Sequence, residues 1–308
     1  MRILVTGGAG YIGSVLVRAL VLGGHQVRCL DQLAPDLSSL LNLTEDERTR
    51  CDVWVGDIRD PYDFKIAVEG MDAVIHLAAL VGSPACDANP SAARSVNVEG
   101  TRVIAQVTPR NLPMVFLSTC SVYGRVLNGF CRETDVVYPP TLYGQTKWMS
   151  ERIVTDRGGV ALRATTAYGG SPSFRWDLII HTFIRLALTT GRLKLFEPNA
   201  IRPFIHIADI VKALVFTIQN FDAMAGKIYN IGSDDGTLTK LDLAQRIATL
   251  TGVAIEIDEL GRDPDGRQYR VAFDQIEGLG YHTSQPFDAG LKETVEWMRG
   301  LILEEGKL

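Results

Sequence analysis

With 308 residues, 46% of them apolar, the chain is long enough to bury a sizeable core and predicts one large domain or two smaller ones. A net charge of −5 without any basic run argues against nucleic acid as a partner, and the absence of about 18 uninterrupted apolar residues argues against a membrane span. Five scattered cysteines (Cys29, Cys51, Cys86, Cys120 and Cys131) with no CxxC spacing argue against a disulfide framework or a metal site and point to a reducing, cytoplasmic setting.

The opening MRILVTGGAG reads as a buried first strand, Ile3–Thr6, and not as a leader peptide, because glycines follow the apolar run at once. A helix is predicted over Ile12–Leu22, then strands at His25–Asp31, Asp52–Asp57 and Asp72–Leu77. A helix over Pro90–Val107, a strand at Pro113–Ser118, a helix at Tyr143–Thr155 and a strand at Gly159–Arg163 follow. Runs that are apolar on both sides, alternating with helices, predict a Rossmann-like, doubly wound parallel α/β sheet. Beyond Gly169 the pattern changes. Prolines surround a helix near Asp177–Thr190, a helix is predicted over Ile205–Gln219, a strand at Lys227–Ile231, and helices at Leu241–Leu250 and Leu291–Leu303. The expected division is residues 1–169 plus 204–232 in the sheet domain, and 170–203 plus 233–308 in a smaller, discontinuous α+β substrate domain.

After the first strand comes Thr6-Gly7-Gly8-Ala9-Gly10-Tyr11-Ile12-Gly13, with Gly7, Gly10 and Gly13 spaced GxxGxxG. Between a strand and a helix, glycines allow a tight turn and close approach of backbone to a pyrophosphate, which the helix N-terminus favours. Asp31 ends the second strand about 20 residues on, where a carboxylate can accept both ribose hydroxyls of NAD and repel the extra phosphate of NADP. Asp57 and Ile58 are candidates for the adenine. Leu77, Ala78 and Ala79, at the end of the fourth strand, are small enough for a cofactor to lie against; His76 reads as structural.

Tyr143-Gly144-Gln145-Thr146-Lys147 sets a phenol and an ammonium at i and i+4, about 6 Å apart on one helical face. A phenol loses its proton near pH ~10, and a nearby cation lowers that value. Thr119 stands at the carboxyl end of the fifth strand, where a hydroxyl meets ligand in a parallel sheet; Ser118 reads as structural.

Taken in order, TGGAGYIG, Asp31, GDIRD, HLAA, NVEGT, STCSVYG, YGQTK, LRATTAYG, RPFIHIADI and YNIGS resemble the extended short-chain dehydrogenase/reductase family, specifically its nucleotide-sugar epimerases and dehydratases. The resemblance covers most of the chain. It implies NAD as cofactor, held by Gly7, Gly10, Tyr11, Ile12, Gly13, Asp31, Asp57, Ile58, Leu77–Ala79, Tyr143 and Lys147. It implies Thr119 as the hydroxyl donor, Tyr143 as general base or acid and Lys147 as its activator. Arg202 looks like the arginine that grips the substrate diphosphate, a task its planar fork suits; Arg262 and Arg267 compete for a second contact. Thr166 stands where the family pattern has an Asn on the nucleotide sugar. Arg175 and Trp176 either meet sugar or base or pack at the domain seam. A homodimer is implied as well.

Sugar 4,6-dehydratases of the family carry Asp-Glu directly after the catalytic Thr, where this chain has Cys120-Ser121. Dehydration then lacks its acid–base pair, and the leading expectation is epimerisation at C4 through a 4-keto sugar. Cys120 reads as a packing residue. The alternatives are a 4-ketoreductase and, in another class, a non-catalytic NAD-binding protein.

Overall fold

A computed structural model describes residues 1–32, 43–126, 129–258 and 268–304. Seven strands form one parallel sheet: β1 (Arg2–Thr6), β2 (Gln26–Asp31), β3 (Cys51–Val55), β4 (Ala73–His76), β5 (Met114–Thr119), β6 (Val160–Ala164) and β10 (Ile228–Ile231). Their order is β10-β6-β5-β4-β1-β2-β3. Winding runs outward from β1 in both directions, so a crevice opens beyond the carboxyl ends of β1 and β4, where ligands bind in doubly wound sheets. This Rossmann-like α/β fold is the expected one. β1, β4, β5 and β6 are buried almost end to end because helices cover both faces.

The two faces bury separate apolar clusters. One gathers Val5, Leu16, Leu20, Ile75, Leu162 and Leu214; the other gathers Leu4, Phe64, Val74, Ile104, Met114 and Phe116. A third cluster, with Tyr168, Ile184, Leu195, Phe204, Leu243 and Leu291, lies against two small sheets. The first orders β11 (Thr237–Thr239), β9 (Ile201–His206) and β7 (Thr166–Tyr168); the second pairs β12 (Ala254–Ile257) with β8 (Arg192–Leu195). No helix among the described residues is long and apolar enough to cross a membrane.

Two of the expected helices are built differently from expectation. The helix expected from Ile205 begins at Ile207, with Ile205 and His206 in β9. His206 is extended and its Nδ1 accepts the Ala208 N–H at 3.3 Å, so the helix starts only after this cap. The single helix expected over Pro90–Val107 is α-helical at Pro90–Arg94 and Thr101–Val107 but widens to a π-turn at Ser95–Gly100. Such a turn marks a place where a side chain is put to use inside a helix, and here that side chain is Asn97.

Candidate active site

The glycine turn after β1 is built by close approach. Gly7 has φ +72, and a Cβ on it would lie 2.7 Å from the Ala78 nitrogen. A Cβ on Gly13 would lie 2.1 Å from the Gly7 carbonyl oxygen. Both are backbone contacts that cannot yield. Helix Tyr11–Leu22 starts at Gly10 with no side-chain cap and no acidic residue in its first turn. Its free N–H end is therefore open to an anion. These features fit the pyrophosphate of a dinucleotide, with Leu77–Ala79 directly across from Gly7.

Asp31, at the end of β2, accepts the Ala9 N–H at 3.0 Å, which fixes its carboxylate against the turn. The adenine candidates are placed differently. Asp57 holds the Arg59 guanidinium, with Nε 2.9 Å from each oxygen, and that bond leads the causes holding its carboxyl below the usual range. Ile58 is buried at 5% exposure, with Gly100 so close that a Cβ there would meet its Cδ1 at 2.7 Å. Tyr11 is buried and Ile12 half-buried. The Tyr11 hydroxyl donates to the Gly169 carbonyl at 2.9 Å, and Ser171 donates to the Tyr11 carbonyl at 2.7 Å. The hydroxyls of Ser14 and Ser171 meet at 3.1 Å. The cofactor turn is thus stitched to the segment after β7.

Tyr143 and Lys147 lie in the first turns of helix Leu142–Asp156, which is capped by Thr141 accepting the Gly144 N–H at 3.1 Å. Lys147 is 3% exposed, with Nζ 4.0 Å from the centre of the Phe116 ring. Burial pushes its ammonium down to about 7, against the opposing pull of the Glu151 carboxylate. Tyr143 is half-buried. Thr119 ends β5; its hydroxyl accepts the Ser121 N–H at 3.1 Å and donates to the Ser121 hydroxyl at 2.9 Å. A substrate oxygen reaching Thr119 would meet a pair of hydroxyls. Cys120 turns inward: it is fully buried, donates to the Arg163 carbonyl at 3.1 Å, and burial drives its thiol well above the usual range.

Sequence reading missed the polar groups that hold this helix in place. Glu151, one turn past Lys147 and 0% exposed, accepts from Arg163 Nε at 3.0 Å, Arg163 Nη2 at 2.9 Å and Ser118 at 2.5 Å. Arg163 Nη1 donates onward to Tyr123, whose hydroxyl donates to Asn230 at 2.8 Å. From the π-turn, Asn97 accepts the Leu80 N–H at 2.7 Å and donates to Leu80 O and Thr146, both at 3.0 Å. An asparagine in mid-helix was the available signal, since it competes with helical backbone unless its side chain has partners elsewhere. His76 bridges Thr6 and Thr101 at 2.8 and 2.9 Å, and burial drops its pKa to about 3, so the ring is neutral.

Of the residues expected at the substrate, Thr166 begins β7 opposite Phe204 in β9. Arg202, also in β9, is 4% exposed, so its side chain is set into the structure. Arg262 and Arg267 lie outside the described residues. Arg175 lies after β7: its Nε donates to Asp177 at 3.0 Å, and its Nη2 is 3.4 Å from where a Cβ of Gly82 would be. No group of three or more metal-ligating side chains occurs among the described residues.

Comparison with known proteins bears on the fold and the family. The model of the NAD dependent epimerase/dehydratase family matches residues 3–232. A dTDP-glucose 4,6-dehydratase of Streptomyces niveus is 31% identical, covering 97% of this chain and 93% of its own length. A UDP-glucose 4-epimerase of Corynebacterium glutamicum is 30% identical over 78% of each chain. The crystal structure of DesIV, a dTDP-glucose 4,6-dehydratase from Streptomyces venezuelae with NAD and TYD bound, superposes with a TM-score of 0.87 over 100% of both chains at 29% identity. A glycine turn shaped for a pyrophosphate and a family match across three quarters of the chain make this protein a member of the NAD dependent epimerase/dehydratase family, among relatives that are extended short-chain dehydrogenase/reductases of nucleotide sugars.

Proposed function

We propose that the protein is an NAD-dependent C4 epimerase of a nucleotide sugar. The observation that carries this reading is the identity of the two residues directly after Thr119. The resemblance places the dehydratase acid pair at positions 120 and 121, and here they hold a thiol bonded into the core and a serine hydroxyl. A buried Cys120 with a raised pKa supplies no acid to a leaving hydroxyl, and Ser121 supplies no base for C5. The chain keeps the residues for oxidation and reduction at C4 and lacks those for loss of water.

In this reading Gly7, Gly10, Gly13, Asp31 and Leu77–Ala79 hold the dinucleotide. NAD, when bound, supplies the acceptor and later the donor of the C4 hydride. Tyr143 takes the 4-hydroxyl proton and returns it, Thr119 hydrogen-bonds the same oxygen, and Lys147 favours the phenolate. Arg202 and Thr166 face the diphosphate and sugar from β9 and β7, and the division into a sheet domain (1–169 plus 204–232) and a substrate domain (170–203 plus 233–308) belongs to the same proposal. Because the redox change cancels, no reduced cofactor is consumed.

The test is turnover of C4 pairs, beginning with UDP-glucose/UDP-galactose and the dTDP counterparts, with no added cofactor. Interconversion by the wild type, and a loss of about a thousandfold or more in Tyr143→Phe with folding intact, is expected. Release of a 4-keto-6-deoxy sugar nucleotide would assign a dehydratase instead, and stoichiometric oxidation of added NADH against a 4-keto sugar nucleotide a ketoreductase.

A further inference from the structure

Three of the motifs in the sequence carry a residue that neither the cofactor nor the C4 chemistry calls for: Tyr123 in STCSVYG, Arg163 in LRATTAYG and Asn230 in YNIGS. The fold brings them to one buried place. Tyr123 ends the tight helical turn Cys120–Tyr123 that follows Thr119 directly, and it is 5% exposed. Its hydroxyl accepts from Arg163 Nη1 at 3.0 Å and donates to Asn230 Oδ1 at 2.8 Å, and the centre of its ring lies 5.0 Å from the guanidinium carbon. Burial raises its phenol above the usual range, so it remains a neutral donor.

Each partner is fixed in turn from elsewhere in the fold. Arg163 gives Nε and Nη2 to Glu151, about two turns past Tyr143 on the same helix. Asn230, 0% exposed in β10, gives Nδ2 to the carbonyls of Ala272 at 3.1 Å and Cys131 at 3.3 Å. The start of the turn is held as well: Cys120 donates to the Arg163 carbonyl at 3.1 Å, while on β6 Ala164 stands level with Thr119. On its other side the turn meets the head of the Tyr143 helix, with the Ser121 carbonyl oxygen 3.5 Å from where a Cβ of Gly144 would be. The turn behind Thr119 and the helix of Tyr143 are therefore tied through one guanidinium, and Tyr123 is the link on the Thr119 side.

We propose that Tyr123 is a positioning residue for the reaction: its hydroxyl holds the turn after Thr119 against Arg163, and so sets the place of the Thr119 hydroxyl relative to Tyr143. This rests on the reading of those two as the groups that meet at the C4 oxygen. Groups that serve one reacting atom must agree in position to about 0.5 Å, and a misplacement of about 1 Å can cost a hundredfold in rate. Thr119 and Tyr143 belong to separate elements, a strand end and a helix. The Thr119 hydroxyl bonds only within its own turn, to the N–H and hydroxyl of Ser121. Those bonds travel with the turn and do not fix it against the helix. The bond from Arg163 to Tyr123 ties the two together.

The experiment is a double-mutant cycle on NAD-loaded protein, pairing Tyr123→Phe with Thr119→Ala and following kcat and KM separately. The probes are UDP-galactose, dTDP-glucose and, with added NADH, dTDP-4-keto-6-deoxyglucose; the cycle is run on the one that the wild type converts. Tyr123→Phe should lower kcat about ten- to a hundredfold and leave KM and NAD affinity at their wild-type values, because no ligand contact is lost. In the Thr119→Ala background the same substitution should cost less than about twofold, since the group it positions is gone. If Tyr123→Phe alone proves unfolded, the cycle is run between Thr119→Ala and Glu151→Leu/Arg163→Met, which cuts the same bond from its other end, with the same expectation. Losses that multiply in the combined variant, a rise in KM with kcat held, or wild-type kcat in Tyr123→Phe overturns the proposal. A dehydrated or reduced product sinks the epimerase reading and leaves the cycle readable, because each of these reactions passes through the same C4 step. A wild type that converts none of the probes overturns both.

Discussion

Replacing Glu151 by Gln breaks the ion pair that anchors the Tyr143 helix to β6. Both partners are out of water, with side chains 0% and 3% exposed, and three hydrogen bonds converge on the carboxylate. Glutamine is nearly isosteric, but it removes the charge and turns one acceptor oxygen into a donor that faces Arg163 in either orientation, since Oε1 accepts from Arg163 Nε and Ser118 and Oε2 from Arg163 Nη2. The guanidinium is left buried with no opposite charge, keeping its Tyr123 contact and one amide oxygen. Removing one member of a buried pair costs about 3–5 kcal/mol, a large part of the roughly 5–15 kcal/mol that holds an ordinary domain together. Urea unfolding at one fixed NAD concentration should show that loss as a lower midpoint with a similar slope. The double variant Glu151→Leu/Arg163→Met removes both charges, while Tyr123 keeps its bond to Asn230. It should be more stable than Glu151→Gln, because no charge is stranded. A single-variant loss below about 1 kcal/mol, or a double variant as unstable as the sum of the two single ones, would refute the claim that pairing in a dry interior sets this energy.

Gly13→Ala should weaken NAD binding by about tenfold or more, because the added methyl group meets the Gly7 carbonyl at 2.1 Å and the Gly8 Cα at 2.7 Å; calorimetric titration with unchanged affinity would contradict the tight-turn account. Lys147 should leave a mark on stability in the NAD-free protein. Its folded pKa of about 7 lies below the ordinary value of ~10.4, so between the two the unfolded chain binds a proton that the native chain does not. Its contribution to stability therefore rises with pH from about 7 upward, and the wild type should gain on Lys147→Met between pH ~7 and ~9 in urea midpoints; a flat or falling difference would show the lysine to be solvated.

The sequence displays the sheet well because parallel strands buried on both faces are continuous apolar runs, as in Ile3–Val5 or Met114–Leu117. It displays the small strands poorly. β7, β8, β11 and β12 are three or four residues long, and their partners lie 34 to 62 residues away, so no local period announces them. Of the candidate site, the glycine turn, Thr119 and the Tyr–Lys helix were legible because each occupies one short stretch. Ser118, Glu151 and Arg163 are ordinary residues 33 and 12 positions apart until the fold puts them in contact. Asn97 and Arg175 became intelligible only through what they touch, Leu80 and Thr146 in one case and Asp177 and the Gly82 edge in the other.

The hydroxyl stitches from Tyr11 and Ser14 to Gly169 and Ser171 make the glycine turn and the segment after β7 one frame. If the protein is the proposed epimerase, that frame would let a keto sugar reorient in its pocket while the turn that holds the dinucleotide, and with it the hydride donor, keeps its position.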